Sequence, residues 1–266
     1  MTPLRSLLRS VRRRLGLDVP PFYRRYPPRF PVSVIDFRIS IDHAARFCYF
    51  RIPKAANTTI IARLYMEQNG LREVDPSRLP DIKLNGYTRP SRLSRAEVDR
   101  VMSSYFRFTF VRNPYVRVLS AYFDKIAGRD ERRQNMVRNA LGRPDGSSIS
   151  FTDFLDYLEH CGGLGADPHW APQAHVITVD ARSLDFVGKV ERLAADLDHV
   201  LTRLFGKACG DPGDFTENRT GAAERLGLLD QAASRRIHRL YEEDFDTFRY
   251  ASDPARAGDL GERWPC

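Results

Sequence analysis

The sequence predicts an α/β domain with a central parallel sheet flanked by helices. Three observations lead there. A strand-like run at Phe47 to Ile52 passes through a short loop into a helical pattern at Thr58 to Gln68, and Phe106 to Val111 passes through Arg112-Asn113-Pro114 into a second helical pattern at Tyr115 to Ile126. Helical segments separate these two units, which is the spacing that parallel strands require. The chain of 266 residues, 42% hydrophobic and 29% charged, suits one domain with its own core and excludes a disordered, collagenous or coiled-coil protein.

In chain order, residues 1–31 read as a basic, proline-rich arm, residues 32–252 as the folded domain and residues 253–266 as a tail. Pro20, Pro21, Pro27, Pro28 and Pro31 give the arm an extended character, with Phe22, Tyr23, Tyr26 and Phe30 free to pack on the body. Val34 to Ile41 alternates apolar and polar residues and reads as a strand, followed by the central strand at 47–52. In the next helix Ile60, Ile61, Leu64 and Tyr65 share a face, and Gly70 marks its end. Residues 70–93, rich in Pro, Gly and charge, form a surface excursion, with a helix at Arg95 to Ser104 after it. Pro114 suits the first turn of a helix, where its missing N–H is not needed. Residues 129–150 read as a loop with partial helix, Phe151 to Glu159 as helix, Val176 to Val179 and Phe186 to Val190 as strands, Glu191 to Phe205 as helix and Leu228 to Phe245 as one long closing helix.

The charge is uneven. Lys and Arg number 42 against 34 Asp and Glu, a net +8, yet residues 1–30 carry eight arginines and one acid, Asp18, so that the remainder is nearly neutral. A globally basic nucleic-acid binder is therefore disfavoured, and residues 1–30 become a candidate contact for a membrane surface or a partner. No apolar run approaches the ~18 residues of a membrane span, and Leu4 to Leu17 is interrupted by arginines. Cys48, Cys161, Cys209 and Cys266 show neither CxxC nor zinc-site spacing and read as reduced thiols. The expectation is a cytoplasmic protein, with the arm touching the inner face of the membrane. Arginine outnumbers lysine 37 to 5, so each lysine stands out.

Two segments carry chemistry. Arg51-Ile52-Pro53-Lys54-Ala55-Ala56-Asn57-Thr58-Thr59 lies where a strand ends and a helix begins, a junction that aims backbone N–H groups and the positive helix end at one spot. Lys54 adds a mobile charge, and Thr58 and Thr59 add hydroxyls. The spacing is not GxxxxGK[ST], because the lysine precedes the turn. In the second segment, Phe110 to Tyr122, Arg112 ends a strand and Ser120 lies about two turns into the next helix, so that the two can grip a phosphate from either side. Arg117 shares a helix face with Ser120. Taken alone, this segment reads equally well as a capped helix with surface arginines.

Together the two segments resemble the 5'-phosphosulfate and 3'-phosphate signatures of sulfotransferases that use 3'-phosphoadenosine-5'-phosphosulfate, in particular the carbohydrate family typified by chondroitin 4-O-sulfotransferases. Asp167-Pro168-His169-Trp170-Ala171-Pro172-Gln173 is similar to that family's His-Trp-x-Pro segment, Asp185 to Glu191 (DFVGKVE) to its Asp-Phe-hydrophobic-Gly-Lys-x-Glu segment, and Tyr241 to Tyr250 (YEEDFDTFRY) to its C-terminal motif. All five occur in the family's order. Ile60-Ile61 replaces the Trp-Lys of the animal enzymes, which places the chain with a bacterial branch. Asn57 stands where relatives carry Gly or Cys, and Asn tolerates the left-handed backbone that a tight anion loop needs.

The resemblance implies a P-loop-NTPase-like three-layer fold, with residues 32–252 as the sulfotransferase domain. It also implies transfer of a sulfuryl group from the nucleotide donor to a hydroxyl of a carbohydrate or glycoconjugate. Lys54 and His169 are the catalytic candidates, Lys54 for the bridging oxygen and His169 as proton acceptor with Trp170 beside it for sugar stacking. Arg51, Lys54, Ala55, Ala56, Asn57, Thr58, Thr59, Arg112, Ser120 and Arg219 are the candidate donor-binding residues. No paired aspartates point to a metal, and none is expected. His43 and His175 are reserve bases, whereas His160, His199 and His238 fall in charged helical patterns. A P-loop-type kinase and a non-catalytic basic interaction protein remain the alternatives.

Overall fold

The computed structural model describes residues 19–206 and 226–257. Four strands, β1 (Ile39–Asp42), β2 (Phe47–Phe50), β3 (Phe106–Val111) and β4 (Phe186–Lys189), form one sheet in that order. β2 pairs parallel with β3, and β3 parallel with β4. The expected parallel sheet is present at the centre, and at its edge β1 runs antiparallel to β2 with Ile39 opposite Phe50. Only residues 43–46 join these two strands, far short of the dozen or so that a parallel crossover needs. The sheet is mixed, and its strands are covered on both faces.

Strand alternation sorts the core into two layers. Phe47 and Tyr49 of β2, Phe108 and Phe110 of β3 and Phe186 of β4 face one side, where Ile60, Ile61 and Leu64 of the Asn57–Asn69 helix and Leu197, Val200 and Leu201 of the Leu193–Phe205 helix cover them. Cys48 and Phe50, Val111 and Val187 face the other side, toward Val118, Phe154, Trp170 and Phe245. Tyr49 stacks on Phe108 with centroids 4.7 Å apart. Gly188 allows the close approach of Phe110, since a Cβ there would lie 2.4 Å from the ring.

Tertiary contacts override local pattern in four places. Residues 34–41 are not one strand: Val32–Ile35 is helical and Asp36–Arg38 a 3-10 turn before β1 begins. Asp36 decides this, because its buried carboxylate accepts from Tyr23 OH (3.0 Å), Ser91 N (2.9 Å) and Ser91 Oγ (2.6 Å). The arm is not extended throughout, since Pro21–Arg25 is a short helix and Phe22, Tyr23 and Phe30 are buried in the core. Residues 176–179 are not a strand. A helix at Gln173–Val176 follows Pro172, with the N–H groups of Gln173 and Ala174 bound by Asp244 at 2.8 and 2.9 Å. The closing helix breaks at buried Tyr241 into Gln231–Leu240 and Glu242–Phe248.

Candidate active site

The C-terminal ends of β2, β3 and β4 deliver three loops to one edge of the sheet, the usual place for a ligand in such a fold. After β2, Lys54 (φ 68°) and Ala56 (φ 52°) both take left-handed backbone. Each costs about 1–2 kcal/mol in an L-residue, a strain typical of built anion loops. The expectation placed this conformation at Asn57, but Asn57 is the first helical residue, and its buried Oδ1 has no partner among the described residues. Among the described residues no side chain caps the helix at Ala56, and the first ladder bond closes from Ile60 N to Ala56 O at 3.1 Å. The N–H groups of residues 57–59 therefore precede the ladder, at the positive end of a 13-residue helix.

The side chains of this loop divide into supports and site groups. Arg51 is buried and donates to Phe37 O and to Lys83 O (3.0 Å), so it anchors the loop from beneath. Ala55 is fully buried. Thr58 Oγ1 accepts from Lys83 Nζ at 2.5 Å, which brings a second lysine to the loop from the 70–93 excursion. Lys54 Nζ is 3.0 Å from Asp124 Oδ2. Burial lowers the Lys54 pKa, and Asp124 opposes the shift. Asp124 lies in a π-helical turn, Tyr122–Ile126, which continues the Pro114–Ala121 helix. Such insertions recur at functional sites because they re-aim one side chain.

The turn after β3 is held from several directions. Gln173 bonds Arg112 twice, Oε1 to its N–H and Nε2 to its carbonyl, both at 2.9 Å. Glu191 accepts from Asn113 N at 2.7 Å and from Tyr250 OH at 3.0 Å. Asn113 caps the following helix through Tyr115 N (3.0 Å), with Pro114 in its first turn. Arg112 Nη1 reaches Lys54 O at 3.4 Å, so the two loops touch. Ser120 is buried on that helix. Arg117, for which the sequence left a surface position open, is fully buried. Its guanidinium donates to Pro53 O (3.1 Å), Ala171 O (2.7 Å) and Pro168 O (2.9 Å), tying the lysine loop to the segment that carries His169.

His169 Nδ1 lies 2.5 Å from Asp167 Oδ1, and Arg133 Nε lies 2.8 Å from Asp167 Oδ2. Arg133 also pairs with Asp130, and Lys125 bridges Asp130 (3.8 Å) and Asp124 (3.1 Å). A chain of alternating charge thus runs from Asp167, beside His169, through Arg133, Asp130, Lys125 and Asp124 to Lys54. Burial, aided by Arg38 and Arg133 and opposed by Asp167, lowers the His169 pKa to about 4, so the ring is neutral near pH 7. Trp170 is no stacking platform: it is fully buried, with edge contacts to Phe154 and Tyr157 and its indole N–H on Gly163 O at 2.8 Å.

The remaining candidates lie elsewhere. His43 bonds Tyr105 OH at 2.9 Å. His175, with Glu243 2.6 Å away, lines a polar cleft of about 810 Å³ that includes Thr178, Arg182 and Arg249 but none of Lys54, Arg112 and His169. Arg219 and most of the arm lie outside the described residues. Among the described residues, no His, Cys, Asp or Glu group is placed to hold a metal. Sequence reading missed Asp124, Lys83, Arg133 and the clamp by Arg117. The arginine excess of the sequence hides both Arg133 and Arg117, whereas the rarity of lysine points toward Lys83.

A sulfotransferase family model matches residues 37–251. Mouse carbohydrate sulfotransferase 14 is 32% identical over 171 residues, which cover 61% of this chain and 45% of the relative. Human carbohydrate sulfotransferase 10 is 26% identical over 246 residues, covering 83% of this chain and 69% of the relative. The chain thus spans about half the length of the first relative. No solved structure matches. The expected cytoplasmic location is overturned by the likeness to these mouse and human carbohydrate sulfotransferases. No described helix is long and apolar enough to cross a membrane.

Proposed function

The chain belongs to the sulfotransferase family, and from that premise we propose that it transfers a sulfuryl group from 3'-phosphoadenosine-5'-phosphosulfate to a hydroxyl of a carbohydrate or glycoconjugate. The observation that carries this reading is the Arg117 clamp, which binds the lysine loop and the His169 segment through one side chain. In this reading the cation Lys54 and the neutral base His169 serve one site, and the clamp supports it by tying the loop of one to the segment of the other. The family premise also favours a transferase over a kinase or a purely adhesive protein.

In this reading the 57–59 N–H groups, Thr58, Thr59 and Lys54 hold the 5'-phosphate side of the donor, with Lys54 opposite the charge that develops on the leaving oxygen. Arg112 and Ser120 hold the 3'-phosphate, Arg112 by a fork that suits phosphate geometry. The donor supplies an activated sulfuryl group. His169 accepts the proton of the attacking hydroxyl, and its low pKa keeps it unprotonated for that task. Left-handed backbone at Lys54 and Ala56 just before a helix start with no side-chain cap among the described residues supports an anion-binding loop.

Adenosine 3',5'-bisphosphate tests this directly. It is expected to raise the Tm of the full chain in a dose-dependent way. Lys54→Ala and Arg112→Ala should each weaken binding roughly ten- to hundredfold, the equivalent of a charged hydrogen bond of about 1.5–3 kcal/mol. Absence of any stabilisation by the bisphosphate at millimolar concentration overturns the proposal.

A further inference from the structure

We infer that Asp167 and Arg133 are positioning residues for His169: Asp167 holds the ring with its proton on Nδ1 and leaves Nε2 as the basic nitrogen, while Arg133 fixes Asp167. The inference rests on the reading of His169 as the proton acceptor.

A carboxylate only accepts hydrogen bonds, so the 2.5 Å approach of Asp167 Oδ1 requires a hydrogen on Nδ1. Arg133 Nη2 is also near Nδ1, at 3.2 Å, but a guanidinium only donates, and the closer carboxylate sets the tautomer. Asp167 Oδ1 accepts from His169 N as well, at 2.9 Å, which locks the carboxylate against the backbone of the residue it orients. Its other oxygen is held by Arg133 Nε, and Arg133 is steadied in turn by Asp130, whose carboxylate also accepts from Arg133 N at 3.2 Å. The side chains of Asp167, Arg133 and His169 are all largely buried, with exposures of 7%, 16% and 16%. The arrangement is rigid at both ends. Arg133 belongs to the Glu131–Ala140 helix, and Asp167 and His169 belong to the segment clamped by Arg117.

The charged groups that face the ring are therefore Asp167, which favours its protonated form, and Arg133 and Arg38, which disfavour it. Arg38 enters from the turn before β1, near Asp167, Arg133 and Arg117, and its buried Nε has no hydrogen-bond partner among the described residues. This opposition yields a signed test. In the full chain labelled with ¹⁵N-histidine, the wild-type His169 spectrum near pH 7 is expected to show Nδ1 protonated and Nε2 unprotonated. In Asp167→Asn the amide can donate to Nδ1, so the Nε2-protonated tautomer should become the major species, and the titration midpoint of His169 should fall. In Arg133→Gln the midpoint should rise. General loosening of the site would instead move both variants upward, toward an exposed histidine.

A wild-type ring protonated on Nε2, or an Asp167→Asn spectrum unchanged in tautomer, overturns the inference. If Asp167→Asn fails to fold, the wild-type tautomer and the direction of the Arg133→Gln shift still decide it. Bisphosphate binding measured on the same samples separates the two readings. Binding with an unmoved tautomer removes the role of Asp167 alone, whereas a wild type that binds no bisphosphate removes the sulfotransferase reading.

Discussion

Arg117 bonds three carbonyls that come from two loops more than a hundred residues apart, and a buried guanidinium of this kind is the lever on which the site turns. Its five N–H groups in a fixed fork suit three acceptors at once, and lysine cannot reproduce them. Arg117→Lys should leave at least one of Pro53, Pro168 and Ala171 without its donor in a buried setting. The expected loss is about 2–4 kcal/mol from the unmade bonds and the poorly solvated charge. Differential scanning calorimetry should record a Tm lower by roughly 5–15 °C for a domain of this size, and a Tm within a degree of wild type would show that the clamp is energetically idle. Nothing local announces this role, since in the sequence Arg117 is one arginine among 37. Lys54 and Arg112 were legible because strand, turn and helix signals bracket them. Asp124 and Arg133 were not, because each acquires its meaning from partners that only the fold brings near.

Elements were legible where periodicity and burial agree. The Phe47–Phe50 and Phe106–Val111 strands alternate aromatic side chains toward one covered face, and the helices that follow them begin at Asn57 and Pro114. They were misread where a single buried polar contact outweighs the pattern, as Asp36 does before β1 and Asp244 does at Gln173. The Asp185-to-Glu191 segment is legible as a motif, and the structure supplies its physical meaning. Gly188 admits the Phe110 ring, Lys189 lies 4.2 Å over Tyr250, and Glu191 receives Asn113 N. Gly188→Ala therefore places a methyl 2.4 Å from a ring that also packs edge-on to Phe186 and Tyr49. Overpacking of this kind costs about 1–3 kcal/mol. Urea unfolding should show a lower midpoint with an unchanged slope, and an unshifted midpoint would mean that Phe110 can move aside.

At the scale of the whole molecule, the net +8 conceals a nearly neutral body whose described lysines gather at one edge of the sheet. Lys54 and Lys125 share Asp124, Lys83 meets Thr58, and Lys189, its pKa brought down to about 8 chiefly by burial, ends β4. Gathering buried cations beside a neutral histidine makes stability depend on acid in a definite way. His169 has a pKa near 4 in the fold and about 6.5 in an unfolded chain, so between these values the unfolded state binds the extra proton. Stability from this group is complete above pH 6.5 and is lost as pH falls toward 4. Between pH 7 and pH 5 the loss is about 2 kcal/mol, at 1.36 kcal/mol per pKa unit. Asp124, Asp130 and Asp167 have lowered values, so their contribution is lost only below the ordinary aspartate range, outside this interval. Buried Glu191 and Asp244 are shifted upward, and their contribution grows on acidification and partly masks the histidine. The comparison that isolates it is wild type against His169→Gln, in urea unfolding at pH 7 and pH 5. The variant should lose about 2 kcal/mol less than wild type across that interval. Parallel losses in the two proteins would show that His169 titrates as an exposed residue and is not held neutral by the charges around it.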